Sequence, residues 1–253
     1  MISVVSMRAL KVARLSRNVL LAGLSVFTLG ASHLLTAAAV EAGTALEFGR
    51  IAGYVSVAAG YQRPKPLPVF KNRTFCGPAV ANETLLIDAD GGLQNAAVIL
   101  HPRGRKTALR PGVLVLDNQQ CAFVPHVQIG VVGSELLLKN SDPILHTVHA
   151  RQNRKTLFNV GLPKWRQVIK SLERPGVIRI DCDVLHTWMS AAIVVTDTPY
   201  FALTDVTGGF KIDDLPAGEY EMEVWHERLG TKSIRLVVSN GMSRFVEVVY
   251  SSK

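Results

Sequence analysis

The chain has 253 residues, a hydrophobic fraction of 48% and a formal net charge of +8 at pH 7. The first 39 residues hold four of the 28 basic side chains and no acidic one, so the charge of the remainder falls to +4. That remainder has no cluster of Lys and Arg interleaved with aromatic residues, and we therefore expect no nucleic-acid partner. Its roughly two hundred residues suffice for one large core or two small ones.

The N-terminal segment is typical of a secretory signal. Four basic residues at positions 8 to 17 precede an uncharged apolar stretch over residues 19–40, which contains the small-residue run Thr36-Ala37-Ala38-Ala39. This order of basic, apolar and small residues predicts a signal peptide over residues 1–40 and export of the remainder. The alternative is a retained anchor in the inner membrane, since about 20 apolar residues can span a bilayer. In both cases the rest of the chain is expected to face the periplasm.

Apolar residues after the signal follow the spacing of strands, and no window shows a convincing helical repeat. Short runs rich in Val, Ile, Leu, Phe and Tyr alternate with turns that contain Gly, Pro, Asn and Asp. The predicted strands are 51–57, 83–88, 96–100, 113–116, 135–139, 177–182, 191–195, 219–225, 233–238 and 245–249. One helical insertion is expected around residues 164–171. The pattern predicts an all-β protein built from sandwiches or barrels.

A change in turn chemistry near residues 196–200 indicates a domain boundary. The segment from Thr204 to Tyr220 contains T-D-x-x-G-x-F followed by L-P-x-G-x-Y. It resembles the carboxypeptidase regulatory-like domain, which implies a small prealbumin-like β-sandwich without catalytic residues. We therefore predict an N-terminal β segment over residues 41–94 shared between sheets, a larger domain over 95–196, and this β domain over 197–253, packed against the larger one.

Metal-ligating residue types concentrate in one loop between two predicted strands. Cys182, His186 and Met189 supply a thiolate, an imidazole and a thioether. This donor set suits a redox copper ion, because thiolate and imidazole bind both oxidation states and a weak thioether tunes the potential. A single loop cannot surround an ion, so a fourth ligand must come from another strand. His146 is the candidate.

These motifs resemble those of the cupredoxins, and especially the plastocyanin and amicyanin type. The upstream segment N-x-D-x-x-x-H runs from Asn140 to His146, and the loop C-x-x-x-H-x-x-M runs from Cys182 to Met189. The resemblance covers about residues 95–195 and implies a Greek-key cupredoxin-like sandwich or barrel. It also implies one copper ion, with Cys182, His186 and His146 as equatorial ligands and Met189 as the axial ligand.

Two positions depart from the family pattern. The loop is one residue longer between its Cys and its His than the shortest cupredoxin loops, and a bulge at Val184 or Leu185 could absorb that residue. Thr147 stands where Asn is usual after the first His. The wider arrangement, with segments around Cys76 and Cys121, resembles bacterial proteins described as methylamine-utilization-like, which implies a periplasmic copper or electron-transfer protein.

Three cysteines in an exported chain leave an odd one once a pair forms. Cys182 has metal-ligating neighbours in the sequence, so Cys76 and Cys121 are the expected disulfide, which contributes roughly 2–4 kcal/mol. Two alternatives stay open at this point: a Cys121–Cys182 bridge, and a buried Cys182 thiol without a metal.

The remaining histidines have other expected roles. His149 lies three residues after His146, so on an extended strand the two side chains face opposite ways and only one reaches a given ion. His126 and His149 could form a second metal site or act as hydrogen-bonding partners in the interior. His226, beside Trp225 and Glu227, is expected to be a structural strand residue.

Two main functions and a third alternative fit these patterns. The first is an electron carrier that passes electrons to a periplasmic redox partner protein, through an exposed edge of His186. The second is copper storage or delivery without a redox role, and a third is an envelope module whose C-terminal domain binds a glycan or protein beside a vestigial site. We expect no enzymatic activity, because four protein ligands leave no open position for a substrate.

Overall fold

The computed structural model describes residues 48–251. The predicted signal peptide over residues 1–40 lies outside these residues and stays a prediction. Within residues 48–251, no helix is long and apolar enough to cross a membrane.

The described residues form eighteen strands and one short helix. In chain order these elements are β1 (Gly49–Val57), β2 (Leu67–Pro68), α1 (Arg73–Cys76), β3 (Ala79–Val80), β4 (Ala97–Pro102), β5 (Val113–Gln119), β6 (Ala122–Val124), β7 (Val127–Val131), β8 (Glu135–Asn140), β9 (His146–Gln152), β10 (Lys155–Leu162), β11 (Gln167–Ser171), β12 (Gly176–Asp181), β13 (Ser190–Thr196), β14 (Phe201–Leu203), β15 (Gly209–Leu215), β16 (Gly218–His226), β17 (Gly230–Val238) and β18 (Ser243–Tyr250). The prediction of an all-β sandwich is confirmed.

The prediction of a helical insertion at residues 164–171 is wrong. The chain forms β11 there and pairs antiparallel with β8, from Gln167 opposite Lys139 to Ser171 opposite Glu135. Exposure alternates along β11 with a period of two residues. The adjacent β-branched Val168 and Ile169 fit a pleated strand better than an isolated turn of helix, and the free edge of β8 supplies the backbone hydrogen bonds.

The strand expected at residues 83–88 does not form either. Leu85 and Ile87 are buried, which explains the alternating pattern, but Ile87 makes only an isolated bridge to Leu93. The Asp88 carboxylate accepts the backbone N–H groups of Asp90 and Gly92 and turns the chain back at once. The segment is therefore too short and too sharply bent for a ladder.

The first of two large cores lies between two sheets near the chain ends. One sheet has the order β15-β1-β18 and the other β14-β4-β16-β17. Their inward side chains form a buried cluster that includes Ile51, Leu100, Tyr220, Met222 and Val224. β1 pairs with β15 and β18, so residues 49–57 share a sheet with the C-terminal part of the chain.

The second core lies between a five-stranded and a four-stranded sheet. Their orders are β10-β9-β12-β13-β7 and β11-β8-β5-β6. Buried Leu116, Leu138, Val148 and Ile180 are part of this cluster. A smaller cluster joins the two sandwiches, because Ala97 and Ile99 of β4 are in one buried group with residues of β7 and β13.

The cysteines pair as expected from their number and sequence context. Cys76 and Cys121 form a disulfide with a Cα–Cα distance of 5.5 Å, while Cys182 is free and buried. The prediction of a Cys76–Cys121 disulfide is therefore confirmed, and the alternative Cys121–Cys182 bridge is wrong. The free thiol lies in the second core, at the ends of β9 and β12.

Candidate metal centre

Three ligating atoms converge at one end of the second sandwich. His146 begins β9, and Cys182 directly follows β12, which pairs antiparallel with β9. Cys182 Sγ lies 3.9 Å from His146 Nδ1 and 3.7 Å from His186 Nδ1, and the two Nδ1 atoms are 3.0 Å apart. Metal bonds of about 2.0 Å to nitrogen and 2.3 Å to sulfur would place such atoms roughly 3–4 Å apart. The three atoms are therefore spaced as one ion requires.

The loop from Cys182 to Met189 folds back on itself before β13 begins. The Met189 N–H donates to the His186 carbonyl at 2.9 Å, which closes a turn between the two residues. Leu185 has a left-handed backbone (φ 66°), and 65% of its surface is exposed. The additional residue of this loop is thus accommodated as an outward bulge at Leu185, and Met189 is buried at the start of β13.

All four predicted ligands are buried in the second core. His146 is fully buried, and Cys182, His186 and Met189 are each at most 4% exposed. The ring of His186 lies 5.1 Å, centroid to centroid, from that of Trp188, which is itself buried. The buried ring of Trp188 thus helps to exclude water from the site.

Hydrogen bonds at the far nitrogens orient both imidazoles. His146 Nε2 donates to Asp142 Oδ2 at 2.9 Å, and His186 Nε2 donates to Asn72 Oδ1 at 3.1 Å. Because Nε2 is the donor in both bonds, each Nδ1 of a neutral ring presents its lone pair to the centre. A cation between two such lone pairs and a thiolate would be stabilised by all three, so the donor set fits a metal ion.

The cysteine sulfur also accepts hydrogen bonds from its surroundings. The Thr147 N–H donates to Cys182 Sγ at 3.4 Å, and the Thr147 hydroxyl lies 3.7 Å from it. That hydroxyl in turn accepts the Asp183 N–H at 2.7 Å. Burial raises the pKa of Cys182, but the bonds from His146, Thr147 and Val184 outweigh it and lower the pKa. These hydrogen bonds stabilise the thiolate, the form that binds metal.

The pKa values of the two imidazoles are shifted in opposite directions. Burial lowers the pKa of His146, but its contacts with Asp142 and Cys182 outweigh burial and raise the pKa. Burial and the neighbouring charge of His146 lower the pKa of His186 to about 4. His186 is therefore neutral at pH 7, as a metal ligand must be.

The other predicted histidines lie apart from this cluster. His149 faces away from His146 on β9, as strand alternation predicts, and its Nε2 bonds the Thr156 hydroxyl at 2.8 Å. His126 bonds the carboxylate of Glu227, and neither histidine belongs to a group of three ligating atoms among residues 48–251.

His226 is buried at the end of β16, where its Nδ1 accepts the Arg228 N–H at 3.3 Å.

The prediction that an edge of His186 is exposed is wrong. Only 1% of the residue is exposed, because the segment over residues 67–80 lies against it and Asn72 bonds its Nε2 atom. We call residues 67–80 the cap segment. Its ends pair as β2 and β3, and it contains α1. Sequence motifs place His186 in the site but give no information on what covers it.

Three residues of the site were not singled out from the sequence. Asp142 is part of the recognised N-x-D-x-x-x-H motif, and its spacing of four residues from His146 was the available signal. Thr147 appeared only as a departure from the family pattern. Asn72 gave no signal, because it is 114 residues away from His186 along the chain.

Comparison with known proteins gives only partial structural likenesses. No protein-family model and no curated protein match the sequence. Among solved structures, a purple cupredoxin from Nitrosopumilus maritimus is 20% identical and matches 34% of this chain and 99% of its own, with a TM-score of 0.30. Amicyanin from Paracoccus versutus is 14% identical and matches 33% of this chain and 81% of its own, with a TM-score of 0.30.

A larger protein gives a similar partial match. The copper-containing nitrite reductase of Thermus scotoductus is 19% identical and matches 39% of this chain and 26% of its own, with a TM-score of 0.32. At these TM-scores the case for a metal rests on the side chains of this chain itself.

Proposed function

We propose that this chain is a mononuclear copper protein that carries single electrons. Cys182, His146 and His186 would hold the ion, with the thioether of Met189 as a weaker fourth ligand. The observation that carries the proposal is the convergence of two Nδ1 lone pairs and one sulfur within 3.9 Å, while both Nε2 atoms are already bonded elsewhere.

The donor set favours copper over zinc. Zinc sites also use thiolate and imidazole, but two imidazoles and one thiolate, with a methionine buried in the same core, are typical of redox copper. Bound copper would supply a one-electron change between Cu(I) and Cu(II). The chain contributes hydrogen bonds to Asp142, Asn72 and Thr147, which would hold the ligands in place in both states.

Burial of the ligands supports electron transfer over copper delivery. A delivery protein exchanges ligands with its acceptor, which needs an exposed donor atom, and the four ligands here are at most 4% exposed. An electron can pass through a thin layer of protein without such exchange. Four protein ligands also leave no place for a substrate, so we propose no catalytic role.

The cellular setting is part of the same proposal. The basic, apolar and small-residue segments of residues 1–40 support export to the periplasm, with the segment either cleaved or retained as a membrane anchor. The partner would be a periplasmic redox protein. The two sheets around the second core are built from β5 to β13, within the proposed cupredoxin-like domain over residues 95–196, whereas β4 of that range belongs to a sheet of the first core.

The optical spectrum of the exported part, loaded with Cu(II), tests this function. We expect an intense thiolate-to-copper band that ascorbate bleaches and air restores, because only a Cys182–Cu(II) bond gives such absorption. Cys182→Ser should abolish the band. His101→Ala is the control, since His101 lies on β4, in a sheet of the first core and apart from the site.

Two results would decide against the proposal. Uptake of Cu(I) alone, without a coloured Cu(II) form, would favour delivery. A folded protein with a free Cys182 thiol that takes up no copper would contradict both functions.

A further inference from the structure

The hydrogen-bonding partners of the two imidazole ligands come from distant parts of the chain. Asp142 lies between β8 and β9, whereas Asn72 lies in the cap segment next to α1. No strand of the sheets around the second core pairs with the cap segment, because β2 and β3 pair only with each other. Beside the disulfide, the segment is anchored there by apolar packing of its buried Val69.

Each partner is bonded to the backbone of one half of the disulfide. Asp142 Oδ2, which binds His146, also accepts the Cys121 N–H at 2.9 Å, and its Oδ1 accepts the Gln120 N–H at 2.7 Å. On the other side, the Asn72 carbonyl accepts the Cys76 N–H at 2.9 Å. A continuous chain of contacts therefore runs from one ligand, through the disulfide, to the other.

Two further features tie the disulfide to the site. Trp188 Nε1 donates to the Cys121 carbonyl at 3.0 Å, while its ring lies against His186. Asn72 has a left-handed backbone (φ 56°, ψ 32°), which is unfavourable for a residue with a Cβ, although asparagine adopts it more readily than most. Asn72 is held in this conformation at the point where its side chain meets His186 Nε2.

We propose that the Cys76–Cys121 disulfide is a positioning element of the metal centre: it holds Asn72 and Asp142, and through them the rings of His186 and His146. The proposal rests on the proposed copper site for its functional meaning. The disulfide keeps the cap segment closed over His186 and sets the angle at which both Nδ1 atoms face Cys182. A disulfide that only stabilised the fold would affect neither the position of the cap segment nor the angle of the two Nδ1 atoms.

Labelling of Cys182 tests this without copper. The chain has three cysteines, so Cys182 is the only thiol both in the metal-free native protein and in Cys76→Ala/Cys121→Ala. Opening of the cap segment should speed maleimide labelling of this buried thiol by about tenfold or more, because reaction follows access to the sulfur. In the copper-loaded double variant, the thiolate-to-copper band should also shift.

Met222→Ala is the matched control. Met222 is fully buried in the first core, so its loss lowers the melting temperature without touching the site. Labelling at the native rate in this control, with fast labelling in the double variant, supports positioning. The labelling rates are also compared at conditions that give the three proteins the same unfolding free energy. Equal rates in the double variant, the control and the native protein at those conditions would overturn the positioning role.

Asn72→Ala, with the disulfide intact, covers the case in which the double variant fails to fold. This variant should also speed labelling. Asn72→Asp should restore the native rate, because a carboxylate oxygen can still accept the hydrogen bond from His186 Nε2. Native-rate labelling of Asn72→Ala would then overturn the proposal. A native protein that binds no copper would contradict the proposed function, while the labelling rates would still decide the positioning role.

Discussion

Residues 48–251 contain two buried histidine–carboxylate pairs with different surroundings. His146 bonds Asp142 at one end of the second sandwich, and His126 bonds Glu227 near the junction of the two sandwiches. The second nitrogen of His146 faces a thiol and another imidazole, whereas His126 belongs to no group of three ligating atoms. A buried carboxylate partner therefore orients a histidine, but only the convergence of further ligands makes a metal site.

Removing the histidine of each pair should give opposite results, and this is the largest expected effect. His146→Ala should weaken copper binding by more than about 100-fold, because loss of an outer partner alone costs 10–100-fold. His126→Ala should leave copper affinity unchanged but destabilise the fold by about 3 kcal/mol, since the Glu227 carboxylate stays buried without its partner. Copper titration and urea unfolding of both variants measure the contrast, which equal losses of copper affinity would contradict.

The stability of the fold should depend on pH through His226, which lies next to Glu227 of the second pair. Burial lowers the pKa of His226 to about 4, and the charge on His126 adds to this effect. An unfolded chain binds this proton near pH 6.5, so the folded state loses stability as pH falls from about 6.5 to 4, by about 3 kcal/mol in all.

His226→Gln removes this proton site and tests that dependence. Unfolding free energies of the native protein and the variant should converge as pH falls through this window, because only the native protein loses the contribution of His226. Parallel curves between pH 4 and 6.5 would show that His226 keeps its ordinary pKa.

The smallest effect is expected at the bulge of the metal loop. Leu185→Gly relieves a left-handed backbone but adds freedom to the unfolded chain, so the unfolding free energy should change by less than about 1 kcal/mol. The copper spectrum should not move, because the Leu185 side chain points outward. A clear spectral shift would mean that this side chain, and not only the loop backbone, shapes the metal centre.

The sequence predicted those parts of the site whose residues are close together or on neighbouring strands. Cys182, His186 and Met189 share one loop, and strand alternation separated His146 from His149. Counting cysteines gave the disulfide because only Cys182 had metal-ligating neighbours. Hydrophobic alternation predicted nine of the eighteen strands in the described residues.

The rest depends on contacts that no local pattern records. Residues 164–171 form a strand because β8 has a free edge, which only the folded sheet reveals. Asn72 reaches His186 because a disulfide brings the cap segment over the site, and this contact also buries the edge of His186 that was expected to be exposed. Long-range packing thus decided the error at residues 164–171 and the error at His186, whereas the missing strand at residues 83–88 follows from the local turn at Asp88.

Anomalous diffraction at the copper edge, from crystals of the copper-loaded protein, tests the central claim most directly. We expect one strong peak, about 2.0–2.3 Å from His146 Nδ1, His186 Nδ1 and Cys182 Sγ. A loaded crystal with no peak between these three atoms, or with its copper at His126 and Glu227 instead, would contradict the account.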